Sequence, residues 1–172
     1  MNILYLHGMG SKLNCPKVKH LRELGHNVSN PKIVYERKAD FDNLLSKIRS
    51  GPFIDMIIGS SMGGYFAYEL GKHFDIPVLL LNPALHSRTL EPKVDTSGNA
   101  DPLVFLGVGE YDNVINYEKT LEILDDEAGC FFRSNYWRGD HAHRTPIDFF
   151  DKVFNNTLKR LTQINEGQKL FV

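Results

Sequence analysis

Cysteine is scarce in this sequence, with only Cys15 and Cys130 among 172 residues. Their spacing matches neither a zinc site nor a redox pair, which excludes a disulfide scaffold and points to free thiols in a reducing compartment. Excess charge of one sign is lacking too. Twenty Lys and Arg stand against 21 Asp and Glu, a formal net charge of −1 with no basic tract. Nothing here offers an electrostatic footprint for nucleic acid or an anionic membrane surface. No run approaches the ~20 apolar residues of a membrane span. The apolar start, Ile3 to Leu6, has no basic region before it and stops at His7-Gly8, too short for a signal peptide. Internal repeats, low-complexity segments and linkers are also missing. What is left is the balance of an ordinary globular protein, 42% apolar and 24% charged, so a cytoplasmic setting is expected. By length one domain is expected over residues 1–172, with about 163–172 as a frayed tail because the helical patterning fades there.

Strand-like and helical runs alternate along the chain. The strand-like ones are 2–6, 28–35, 53–58, 77–81, 103–108 and 130–137. Helix signals fill the gaps. Pro16 opens a run that ends at Gly25, and Asp40 is placed to cap a helix carrying Leu44, Leu45 and Ile48. Phe66, Ala67, Leu70 and Phe74 recur at helical spacing before Asp75-Ile76-Pro77. Tyr117, Leu121 and Leu124 mark another helix, ending at Gly129. The last opens at Thr145-Pro146 and carries Phe149, Phe150, Val153, Phe154, Leu158 and Leu161 on one stripe. This alternation predicts an α/β fold: a doubly wound, mostly parallel six-stranded sheet with helices on both faces. In one common strand order, 2-1-3-4-5, the chain reverses between the first and third strands, and ligands bind in the crevice beyond their carboxyl ends. Here the first strand ends in His7-Gly8-Met9-Gly10 and the third in Gly59-Ser60-Ser61-Met62-Gly63. Both loops fall on that crevice.

The second of those loops is a G-x-S-x-G turn between a strand and a helix. Such a turn is sharp enough to leave no room for flanking side chains and to present its serine at the sheet's end. By composition the pattern alone would occur in roughly one chain in twenty of this length; its strand-to-helix context is what lifts it above a tight packing turn. A serine hydroxyl is a poor nucleophile and needs a base, which needs an orienting acid. The turn after the fifth strand supplies Asp112, preferred over Glu110, which is expected to bond neighbouring amides. Helix capping is the bland alternative for Asp112. The loop Gly139-Asp140-His141-Ala142-His143 supplies the base, and His141, nearer the strand end, is preferred over His143. The order is then Ser61, Asp112, His141, as an α/β-hydrolase elbow uses it. His20, His26, His73 and His86 have no such placement. Backbone amides of Met62 and Met9, with Gly10 second, are the expected oxyanion donors.

With these residues the chain resembles a small member of the α/β-hydrolase superfamily, and more narrowly the compact bacterial YqiA-like esterases. The matching features are Leu4-Tyr5-Leu6-His7-Gly8, the elbow, Leu81-Asn82-Pro83-Ala84, Asp112-Asn113-Val114-Ile115 and Asp140-His141-Ala142. The resemblance covers the chain to about Leu161. It implies a Ser-Asp-His hydrolase of small-molecule esters that needs no cofactor, with Ser61, Asp112 and His141 as the triad. It leaves no room for a substantial helical lid, so the 86–101 segment is the candidate cover, and its Pro92, Ser97, Gly98 and Asn99 suggest a mobile loop.

Rival readings are a metal site on the H-x-H pair, which lacks a third ligand, and a phosphate-binding turn, which lacks both G-x-G-x-x-G and a P-loop lysine. A thioesterase on the same triad and a non-catalytic hydrolase-fold binding protein also fit the pattern. The expectation is a carboxylesterase of small or short-chain acyl substrates, more active as pH rises and its histidine base loses its proton.

Overall fold

The computed structural model describes residues 1–87, 102–127 and 130–169. In chain order it contains β1 (Asn2–Leu6), α1 (Pro16–Glu23), β2 (Asn27–Ser29), α2 (Lys38–Ser50), β3 (Met56–Ser60), α3 (Met62–Phe74) and β4 (Val78–Leu81). Then come β5 (Val104–Gly109), α4 (Tyr117–Glu127), a 3-10 turn (Cys130–Asn135), β6 (Tyr136–Gly139) and α5 (Ile147–Lys169). The six strands form one sheet in the order β2-β1-β3-β4-β5-β6, and every pairing is parallel. The reversal between β1 and β3 lies where the sequence implied.

Alternation along each strand divides the core into two layers. Leu4, Leu6, Ile57, Leu80 and Leu106 pack on the side of α2, α3 and α4. Ile3, Tyr5, Met56, Ile58 and Phe105 pack on the other side, under α1 and α5. Both faces are therefore buried, which is why these strands read as near-continuous apolar runs. Helix α3 crosses the middle of the sheet and is buried from Met62 to Gly71. It lies so close to the strands that a Cβ on Gly63 would come within 2.2 Å of the Leu6 carbonyl oxygen.

Several elements depart from the pattern. The second strand is confined to Asn27–Ser29. Residues 30–37 leave the sheet, yet Ile33 and Tyr35 remain buried against the core, so apolar residues there signalled burial rather than strand. The third strand starts late, at Met56, because Phe53 is 77% exposed at the approach to the sheet. Asp40 does not cap α2. It sits in the helix's first turn, and its Oδ2 accepts the Val34 N–H at 2.6 Å, tying down the incoming loop. The 130–137 run divides into the 3-10 turn and the four-residue β6. Helix α5 runs to Lys169, past residue 163 where the helical patterning fades. The expected cover at 86–101 lies, from 88 on, outside the described residues. Among the described residues no helix is long and apolar enough to cross a membrane.

Candidate active site

The sharp turn after β3 leaves Ser61 at φ 54°, ψ −122°, a conformation that L-residues avoid and that costs about 1–3 kcal/mol. Its surroundings hold it there. The Ser61 N–H donates to the Leu81 carbonyl at 3.0 Å. Its own carbonyl accepts from the N–H groups of Gly64 at 2.9 Å, Tyr65 at 3.2 Å and Ala84 at 3.0 Å. The strain is thus offset by four backbone bonds, two of them, to Leu81 and Ala84, from beyond the turn and its helix.

The loop after β1 comes against this turn. A Cβ on Gly8 would lie 3.3 Å from the Ser61 Cβ, so the backbone there approaches the serine as closely as side-chain bulk permits. His7 underpins the loop from below. Its Nε2 accepts the Ile33 N–H at 3.3 Å, which leaves Nδ1–H to donate to the Gly8 carbonyl at 2.8 Å. The hydroxyl of buried Tyr35 donates to the His7 carbonyl, and burial pushes that phenol's pKa well up, keeping it a donor. Met62 opens α3 directly after Ser61, where first-turn amides have no intrahelical acceptor. Met9, by contrast, is exposed on the opposite loop.

Asp112 holds a double position. Its Oδ1 accepts the N–H groups of Val114 at 2.8 Å and Ile115 at 2.9 Å, closing the turn after β5. Its Oδ2 takes a bond from His143 Nδ1 at 2.8 Å. The carboxylate is 1% exposed and the imidazole 32%, so the acid is sheltered while the ring reaches the surface. Capping of α4 falls instead to Asn116, whose Oδ1 accepts the Lys119 N–H at 3.0 Å. Glu110 does not bond neighbouring amides; it faces Arg138 across 3.6 Å.

The histidine brought to Asp112 is therefore His143, not the expected His141. His141 turns into the protein. Its Nδ1–H donates to the Ala142 carbonyl at 2.7 Å, and its ring packs edge-on to Phe149 at 4.6 Å. A Cβ at Gly109 would sit 2.6 Å from its Nδ1, and one at Gly139 would sit 2.8 Å from its Cδ2. The ring fills a slot that only two glycines leave open. Nearness to the strand end put His141 under the sheet's rim and let His143, two residues on, curl back over it.

Asn82, not singled out as functional in the sequence, joins these pieces. It is 1% exposed and lies at φ 44°, a left-handed position that asparagine tolerates. Its Oδ1 accepts the Gly109 N–H at 2.7 Å, and its Nδ2 donates to the His143 carbonyl at 2.8 Å. One side chain thus fastens the strand that leads to Asp112 to the backbone of His143. An asparagine between a buried strand and a proline was the available signal.

Ser61 and His143 line one cavity of about 1010 Å³, together with His7, Gly8 and Met9. Neither Asp112 nor His141 lines it. Gly8, Ser61, Asp112 and His143 are in this way gathered at the carboxyl ends of β1, β3, β5 and β6.

Residues 2–112 match the model of an uncharacterised protein family, UPF0227. The chain belongs to this family. The matched stretch includes the elbow and Asp112 but ends before either histidine. No protein of curated function matches the sequence. Among solved structures, a proposed hydrolase of the α/β superfamily from Xanthomonas campestris pv. campestris superposes with TM-score 0.65 at 16% identity, over 92% of this chain and 98% of that one. Est1E from Butyrivibrio proteoclasticus gives 0.63 at 13% identity, over 95% and 88%. Esterase PE8 gives 0.61 at 13%, over 92% and 91%. At such identities the likeness is one of fold, and the fold is that of an α/β hydrolase.

Proposed function

We propose that this protein is a serine hydrolase, a carboxylesterase of small or short-chain acyl esters. The observation that carries the reading is the 2.8 Å Asp112–His143 pair, whose imidazole lines the cavity that Ser61 also lines. Asp112 Oδ2 engages Nδ1 and so leaves Nε2 as the nitrogen available to take a proton. Ser61 Oγ attacks the ester carbonyl carbon while His143 Nε2 accepts the hydroxyl proton. The carbonyl oxygen becomes an oxyanion, met by the amides of Met62 and Met9. Collapse of the tetrahedral adduct breaks the bond to the alkoxy oxygen, and His143 returns its proton to the departing alcohol. Water then repeats the sequence on the acyl-enzyme. The base in this mechanism is His143 rather than His141, and His141 has the task of holding the loop that presents it.

Intact-mass measurement after fluorophosphonate treatment tests the assignment. A single adduct on the wild type and none on Ser61→Ala is expected. A folded wild type that takes no adduct would remove the hydrolase reading.

A further inference from the structure

The cavity beside Ser61 carries charge of one sign. Lys12, Lys17 and Arg144 line it, and no Asp or Glu does. Among the described residues none of these three cations has a carboxylate within ion-pairing distance. The placement is also specific. Lys12 and Lys17 lie on the loop and first helix after β1, and Arg144 directly follows His143. The cations therefore flank the nucleophile from the β1 side and the β6 side.

Lys17 is half-buried rather than extended into water. Burial pulls its ammonium pKa down; Cys15 opposes that shift and Arg144 adds to it. Two cations that share one wall of a cavity repel each other, and an anion lying between them relieves that repulsion.

We infer that the cavity recognises substrates bearing a carboxylate or phosphate group, held by Lys17 and Arg144 with Lys12 at the rim, while the ester reaches Ser61. The inference rests on the hydrolase reading for the position of the ester, but not for the binding of the anion. A guanidinium can grip either oxyanion in a bidentate manner, and the ammonium adds a point charge.

Two matched pairs of esters distinguish the sources of the anion. One pair is the p-nitrophenyl monoester of glutaric acid against p-nitrophenyl valerate, with the charge on the acyl side. The other is valeryl glycerol phosphate against valeryl glycerol, with the charge on the alcohol side. In at least one pair the anionic ester is expected to exceed its neutral partner about tenfold in kcat/KM, the scale of charge-assisted hydrogen bonds. That ratio should fall towards one in Lys17→Gln/Arg144→Gln, and in salt of about 0.5 M, which screens exposed charges. It should survive in Lys17→Arg/Arg144→Lys, which keeps both charges. A second readout needs no turnover: calorimetric titration of Ser61→Ala with glutarate and with glycerol phosphate. Binding of either, lost in the added Lys17→Gln/Arg144→Gln background, supports the inference. Binding of neither overturns it, as does an anionic preference that persists without the two charges. Failure of fluorophosphonate labelling would instead count against the hydrolase chemistry alone.

Discussion

At the scale of single residues, the two histidines of one short loop have opposite surroundings. His143 reaches the cavity with its Nδ1 on Asp112, whereas His141 is wedged among Gly109, Gly139 and Phe149. His143→Ala is expected to lower kcat by about 10³-fold or more, as loss of a triad member does, with little change in thermal midpoint. His141→Ala should show the reverse: a smaller loss of rate, with roughly 1–3 kcal/mol of stability lost to the void beside Phe149. Paired measurements of kcat and denaturant midpoint separate them, and a larger rate loss in the His141 variant would return the base to that position. Asp112→Asn should cost about 10³–10⁴ in kcat, because an amide no longer selects the tautomer with its proton on Nδ1. The sequence led to the expectation of a histidine base in this loop. It could not show which, since the choice depends on two glycines and a phenylalanine whose meeting is a tertiary event.

At the scale of elements, strand ends are held in register by backbone bonds and by Asn82. Removing its amide leaves the buried Gly109 N–H without a partner and frees the His143 carbonyl. Asn82→Ala is therefore expected to cost about 1–3 kcal/mol of stability and to lower kcat with KM nearly unchanged. Asn82→Asp keeps an acceptor for Gly109 but turns an oxygen towards the His143 carbonyl, so it should recover stability better than rate. Equal recovery of both would show that the His143 bond has no part in positioning the base. The strands of the centre, β1, β3, β4 and β5, were legible to within a few residues, because burial on both faces writes continuous apolar runs. The edges were not. Val28 to Tyr35 reads as one strand, yet only its start pairs with β1, and Asp40 fastens the remainder as a loop.

At the scale of the whole molecule, the N-terminus and α5 meet around His26. Burial, and then the charge of the N-terminal ammonium, pull its pKa below the ordinary histidine value. The unfolded chain consequently binds this proton more readily than the folded one, so folding stability rises with pH through the interval below the unfolded histidine value and is lost as pH falls. Melting curves between about pH 5 and 7 should show a shallower slope for His26→Gln than for the wild type. An identical slope would assign the dependence to other groups.

The arrangement of alternating runs determined a parallel, doubly wound sheet, because strands buried on both faces and joined by helices have few other ways to pack. The G-x-S-x-G turn determined the place of Ser61, because only glycine permits that close approach of α3 to the strands. The partner of Asp112, the clamp of Asn82 and the one-signed wall around Ser61 came from tertiary structure alone. Each joins residues distant in sequence, and the distances and burial that give them meaning exist only once the strand ends have been brought together.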